Sequence, residues 1–177
     1  VQIKDGVIYH YLESNVEVGK TVNCKIDWEE RFRKMQNHSG EHIISGLVHS
    51  LYGYDNVGFH LSKSEMTMDF SGMLSRDDLN KIELLANKAV WENVKFNCYY
   101  PESLEGLEYR SKLDLSEDVR IVEIEGYDRC ACCAPHVKAT GEVGLIKLLD
   151  FETLRGGVRI EMKCGMRALD DYNDKYK

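Results

Sequence analysis

The stretch 37-NHSGEHIISGLVHSLY-52 decides how the rest of the chain is read. Ile43, Leu47 and Leu51 recur every four residues, the period of one helical face. His38 and His42 are also four apart, so both imidazoles project from one side of that helix. Glu41 stands directly before the second histidine. Upstream, Asp27 followed by Glu30 resembles a capping box, and Trp28, Phe32 and Met35 mark one face of a first helix. Asn37 is expected to cap a second helix running to about Tyr52. Gly40 costs about 1 kcal/mol in a helix interior and leaves room for a ligand to approach the backbone.

Other segments supply the partners for these helices. Ser75 is expected to cap a helix reaching about Glu92, with Leu79, Ile82, Leu85, Ala86 and Ala89 on its buried side. Met66, Met68 and Phe70 alternate with polar residues, as in a half-buried strand. Residues 94–100, 119–124 and 145–151 read as further strands, and Arg155-Gly156-Gly157 turns the chain into 158-VRIEMK-163. The expected class is α+β, with two main helices packed on a largely antiparallel sheet. Residues 1–26 read as short strands, turning at Gly6 and at Gly19-Lys20, and as the end of a separate β-domain. Residues 27–165 form the main domain. Residues 166–177 begin a polar helical segment.

The chain of 177 residues is 43% hydrophobic and 30% charged with two prolines, which suits a globular protein with a real core. No apolar run approaches the roughly 20 residues of a membrane span. A net charge of −7 disfavours a protein that grips a long nucleic-acid duplex. It still permits a pocket for the tip of an RNA. Six cysteines, three of them at Cys130, Cys132 and Cys133, make an awkward disulfide framework. Buried thiols or metal binding in a reducing cytoplasm are the better readings.

The stretch 129-RCACCAPHVKATGEVG-144 repeats the spacing of the histidine pair, with Cys132 and His136 four apart. Together with His38 and His42 these residues offer three imidazoles and one thiolate, a set that suits tetrahedral Zn²⁺. Magnesium or calcium would call for carboxylates. Cys130 and Cys133 read more simply as small hydrophobes, and His49 as packing or surface. His60 is a candidate for a substrate cleft. Lys138, Arg155 and Arg159 are candidates to meet RNA phosphates, with ordinary solvated surface as the alternative.

His38-x-x-x-His42 with Cys132-x-x-x-His136, the latter inside 132-CCAPHV-137 and followed by 140-TGEVG-144, resembles the editing domain of alanyl-tRNA synthetases. It is equally similar to the free-standing AlaX trans-editing proteins. The resemblance runs from about Asp27 to Gly165 and takes in Gly126-Tyr127-Asp128 and 158-VRIEM-162. It implies a zinc-dependent hydrolase that cleaves serine or glycine from mischarged tRNA(Ala), acting at the acceptor end. It also implies a preceding β-barrel-like domain, a following helical or oligomerising segment and, through it, a homodimer. Glu41 and His42 are the expected catalytic residues, and Gly40, His60, Lys138, Arg155 and Arg159 the expected substrate or tRNA contacts. Two positions depart from the family: Cys133-Ala134-Pro135 replaces Gly-Gly-Thr, and Glu41 replaces a common threonine.

Two other readings fit part of the pattern. The segment 38-HSGEH-42 matches His-x-x-Glu-His of inverzincin peptidases, where the glutamate is the general base, but that leaves Cys132 and His136 unexplained. A closed four-ligand zinc site would instead be structural, inside a non-catalytic RNA-binding module.

Overall fold

A computed structural model describes residues 1–111 and 118–177. It is an α+β fold whose strands pair only antiparallel among the described residues. The elements are β1 (Gln2–Lys4), β2 (Val7–Tyr9), α1 (Trp28–Tyr52), β3 (Asn56–Leu61), β4 (Met66–Phe70), α2 (Arg76–Glu92), β5 (Phe96–Tyr99), β6 (Ile121–Ile124), β7 (Asp128–Ala131), a 3₁₀ turn (Thr140–Val143), β8 (Ile146–Leu154), β9 (Gly157–Cys164) and α3 (Met166–Lys175). The single expected sheet is divided: one sheet has the order β3-β4-β9-β8 and another β5-β6-β7.

The two helices expected before Tyr52 are one helix of 25 residues. Asp27 does cap it, accepting the Glu30 N–H at 3.1 Å. Asn37 caps nothing. Its amide docks the helix on the sheet instead: Nδ2 donates to Arg33 O at 2.8 Å, and Oδ1 accepts the Cys164 N–H at 2.9 Å. With its donors and acceptor so occupied, a buried asparagine does not interrupt a helix. In α2, Asn87 repeats the arrangement, donating to Ile146 O at 2.8 Å and accepting the Ile146 N–H at 3.0 Å. Ile146 and Cys164 are cross-strand partners. Two helices therefore hold one hairpin at its base, from opposite strands.

The α2 start is as expected, with a full capping box between Ser75 and Asp78. Along β9, Val158, Ile160, Met162 and Cys164 are fully buried against Ile43 and Ile44 of α1 and Met66, Met68 and Phe70 of β4. Each such side chain contributes roughly 2 kcal/mol of burial free energy. Gly40 and Gly46 let α1 lie close on its neighbours: a Cβ at Gly40 would strike Cys164 Sγ, and one at Gly46 would strike the Tyr127 carbonyl.

Two strands were not expected. No strand is expected around His60, yet β3 forms the edge of the larger sheet through a bulge at Asn56/Gly58. The cysteine-rich run likewise starts as β7. Conversely, residues 21–26 form no strand, and residues 1–29 are exposed throughout. The β1–β2 hairpin turns at Asp5-Gly6, both at positive φ (50° and 74°), as a two-residue hairpin requires. No helix of the described residues is long and apolar enough to cross a membrane.

Candidate functional site

His38 and His42 sit one turn apart on α1, and the loop after β7 brings Cys132 and His136 to them. One ligand atom from each of the four lies within 4.8 Å of every other. Cys132 Sγ is 3.6 Å from His38 Nε2. Donors around a tetrahedral zinc are about 3.5 Å apart, given bonds of about 2.0–2.3 Å. The His38 and His136 rings stack with centroids at 4.4 Å, and His42 meets both edge-on.

The loop is tied down by Arg120 and Ser39. Arg120 Nη1 donates to the carbonyls of Cys132 at 2.8 Å and Ala134 at 3.1 Å. The Cys132 N–H donates to Arg120 O at 3.0 Å, and the Val137 N–H to Ser39 Oγ at 3.1 Å.

Each imidazole turns its Nδ1 toward a protein oxygen. His42 Nδ1 meets Asp128 Oδ2 at 2.9 Å, His38 Nδ1 meets Pro135 O at 3.4 Å, and His136 Nδ1 meets Ser39 Oγ at 3.4 Å. That leaves the three Nε2 atoms for the shared space. His136 Nε2 is buried with no hydrogen-bond partner among the described residues. A cation held by the four donors would satisfy it, and three imidazoles with one thiolate fit a transition metal.

The electrostatics favour the thiolate form of Cys132 that a metal would require. Burial raises the Cys132 thiol, but the surrounding imidazoles of His136, His38 and His42 outweigh it and bring the pKa down to about 3. Burial disfavours charge on His42, yet Asp128, Cys132 and Glu41 raise it to about 10. Burial and the neighbouring imidazoles hold His136 down at about 4. Asp128 is itself fixed by a bidentate pair with Arg110, at 2.7 and 2.9 Å. Burial opposes its charge, but His42 and Arg110 keep its pKa below the ordinary carboxylate value.

Glu41 is 4% exposed. Its Oε1 accepts from Ser45 Oγ and from Asn56 Nδ2, each at 2.7 Å, and its Oε2 lies 3.8 Å from His42 Nε2. Asn56 also borders an opening of about 580 Å³ shared with Asp128, Arg110 and Cys130. Cys130 forms a second close group with His42 and Asp128, but burial pushes its thiol up to about 12, and Asp128 is already committed to Arg110. Cys133 is exposed.

The other expected contacts part from the cluster. Gly40 does not open the backbone to a ligand, because Cys164 and Met162 occupy that side. His60 and Arg159 lie on the far face of the larger sheet, around a groove of about 620 Å³. Strand alternation puts them there: Phe59 points to His38, so its neighbour His60 points away. Arg159 is engaged by Asp69 through two hydrogen bonds of 2.7 Å. Arg155 is at the tip of the β8–β9 hairpin. Lys138 is exposed two residues beyond His136. Sequence reasoning did not assign roles to Asp128, Arg110, Ser39, Asn56 or Arg120. Ser45, four residues after Glu41 on the same helical face, was the readable hint.

Such a site defines an α+β domain that gathers a His₃Cys donor set of the kind a metal ion could occupy. A family model described as the threonyl and alanyl tRNA synthetase second additional domain matches residues 119–161. The chain is 34% identical to an alanine–tRNA ligase of Ignicoccus hospitalis, with 97% of this chain and 20% of the ligase aligned. It is 33% identical to the alanyl-tRNA editing protein AlaX-L of Pyrococcus horikoshii, with 97% of this chain and 44% of that protein aligned. It is 31% identical to the alanyl-tRNA editing protein Aarsd1-A of Xenopus laevis, over 81% of this chain and 36% of the relative. The chain is thus a homologue of the alanyl-tRNA editing proteins and of the alanine–tRNA ligases, as its motifs implied. It spans less than half the length of each of these three relatives.

Proposed function

We propose that the protein hydrolyses the ester between an incorrectly attached amino acid, serine or glycine, and the acceptor end of tRNA(Ala), with Zn²⁺ held by His38, His42, Cys132 and His136. The observation that carries this reading is the set of three Nδ1 anchors, which leaves three Nε2 atoms and one thiolate for a single cation. Relatives named for alanyl-tRNA editing support the substrate class.

Zinc, when bound, supplies Lewis acidity toward the ester carbonyl or the attacking water. The protein residues supply the rest. Asp128 orients His42 and holds its Nδ1 proton, while Arg110 fixes Asp128. Glu41, its Oε1 anchored by Ser45 and Asn56, is the acceptor at the amino-acid end, placed to take a hydrogen bond from a serine hydroxyl. Among the described residues the peptidase reading lacks an acidic ligand: Asp128 reaches His42 on the Nδ1 side, away from the other donors.

The test is deacylation of Ser-, Gly- and Ala-tRNA(Ala) by zinc-loaded protein, with metal content measured on the same sample. Hydrolysis of the serine or glycine ester over the alanine ester is expected. Stoichiometric zinc without hydrolysis of any of the three would make the site structural. The reading places the protein in the cytoplasm with translation, and Lys138 is its remaining candidate for a phosphate contact near the cluster.

A further inference from the structure

If the scissile ester lies at the cluster, as proposed above, the terminal nucleoside that carries it must rest against one of the cluster's walls. We infer that the base of this nucleoside stacks in the apolar groove beside His38, with Phe59 as its platform. The groove holds about 420 Å³, and Met35, His38, Phe59, Leu61 and Pro135 line it. That volume suits a single small ligand and is too small for a duplex.

Three observations select this wall. First, His38 belongs to both the groove and the cluster, so a ligand there is one ring away from Cys132 Sγ, which is 3.6 Å from His38 Nε2. Second, Phe59 is 36% exposed and already tilted over the His38 ring, with centroids 5.6 Å apart. Nucleic-acid bases stack on such aromatic faces with little regard to sequence. The opposite opening, at Asn56, Asp128 and Arg110, is polar and suits the amino-acid end instead. Third, the rim supplies charge for the preceding phosphate. Arg31 has no ion-pair partner among the described residues, and Lys34, itself half-exposed, pairs with Glu30 at 3.5 Å. Of the rim carboxylates, Asp27 is occupied in capping α1. One base and one phosphate are also as much RNA as a chain of net charge −7 is suited to hold.

The experiment uses the zinc-loaded chain and an acceptor-stem minihelix ending in 2-aminopurine, whose emission falls when it stacks. Quenching is expected with the wild type. Phe59→Ala should abolish it and weaken binding by about tenfold, the effect of losing one base–aromatic stack. Phe59→Leu keeps an apolar wall without an aromatic face; it should retain one zinc and still lose the quenching. In the hydrolysis assay, a substrate with an abasic terminal ribose should show KM about tenfold higher with kcat little changed. Phe59→Ala should no longer distinguish it from the intact substrate. Equal KM for intact and abasic substrates, or quenching that survives both Phe59 variants, would overturn the inference. So would a hydrophobic peptide that seats in the groove when the minihelix does not. Failure of the hydrolytic reading looks different: quenching in the groove with no ester cleaved.

Discussion

His42 Nδ1 lies 2.9 Å from Asp128 Oδ2, and the same carboxylate is gripped by Arg110 through both of its oxygens. The imidazole therefore has one orientation and one tautomer available for holding a cation at Nε2. Asp128→Asn preserves the shape and removes the charge. Loss of such an outer partner typically costs about 10–100-fold in metal affinity. Competition against a chromophoric chelator should show a loss in that range; unchanged affinity would mean that Asp128 serves only to bury Arg110.

Cys132 is expected to be the sulfur ligand and Cys133 a bystander. Cys132→Ala should yield metal-free protein, whereas Cys133→Ala should retain one equivalent of zinc. Elemental analysis after desalting decides between them, and the reverse pattern would exchange the two assignments.

Glu41 has two consequences that separate by substitution. Glu41→Ala leaves the buried Ser45 hydroxyl without its acceptor, at a cost of about 1–3 kcal/mol, while the Asn56 amide keeps Ser45 Oγ at 2.9 Å; urea unfolding should show a clear loss of stability. Glu41→Gln keeps an acceptor and should lower deacylation only modestly. Glu41→Thr should alter the preference among serine, glycine and alanine esters. A general base would behave differently, since Glu41→Gln would then cost about 10²–10⁴-fold.

Asn37 and Asn87 should prove coupled although they lie on different helices. Each →Ala change removes hydrogen bonds to one member of the Ile146/Cys164 pair and leaves backbone groups unpaired, a loss of about 2–3 kcal/mol. Measured separately and together by denaturation, the two should be non-additive, as sites coupled through one cross-strand pair are. Strict additivity would show that the hairpin base does not act as a unit.

The helices, the sheet strands with regular alternation and the four donors were legible because each rests on local spacing. The four-residue step is a property of helix geometry, and it survives in Cys132 and His136 even though a loop carries them. What was not legible depends on contacts distant in sequence. Asn37 looked like a cap because its hydrogen-bond partner is Cys164, 127 residues away. Gly40 looked like a place for a ligand because nothing nearby in sequence reveals that β9 fills it. His60 was misplaced because β3 went unread, and Arg159 because the face of β9 that carries it looks away from the donors, toward Asp69. Asp128 was visible only as part of a resemblance, with no role attached, since its partners Arg110 and His42 lie on separate elements.

The Asn37 clamp also bears on how firmly the two halves of the donor set are held. The residue immediately before His38 is pinned to the end of β9, so the histidine pair on α1 is stationary. The Cys132 and His136 half hangs from the backbone carbonyls that Arg120 grips and from the hydroxyl of Ser39. The position of that half therefore rests on the side chain of Arg120, which is not itself one of the four donors.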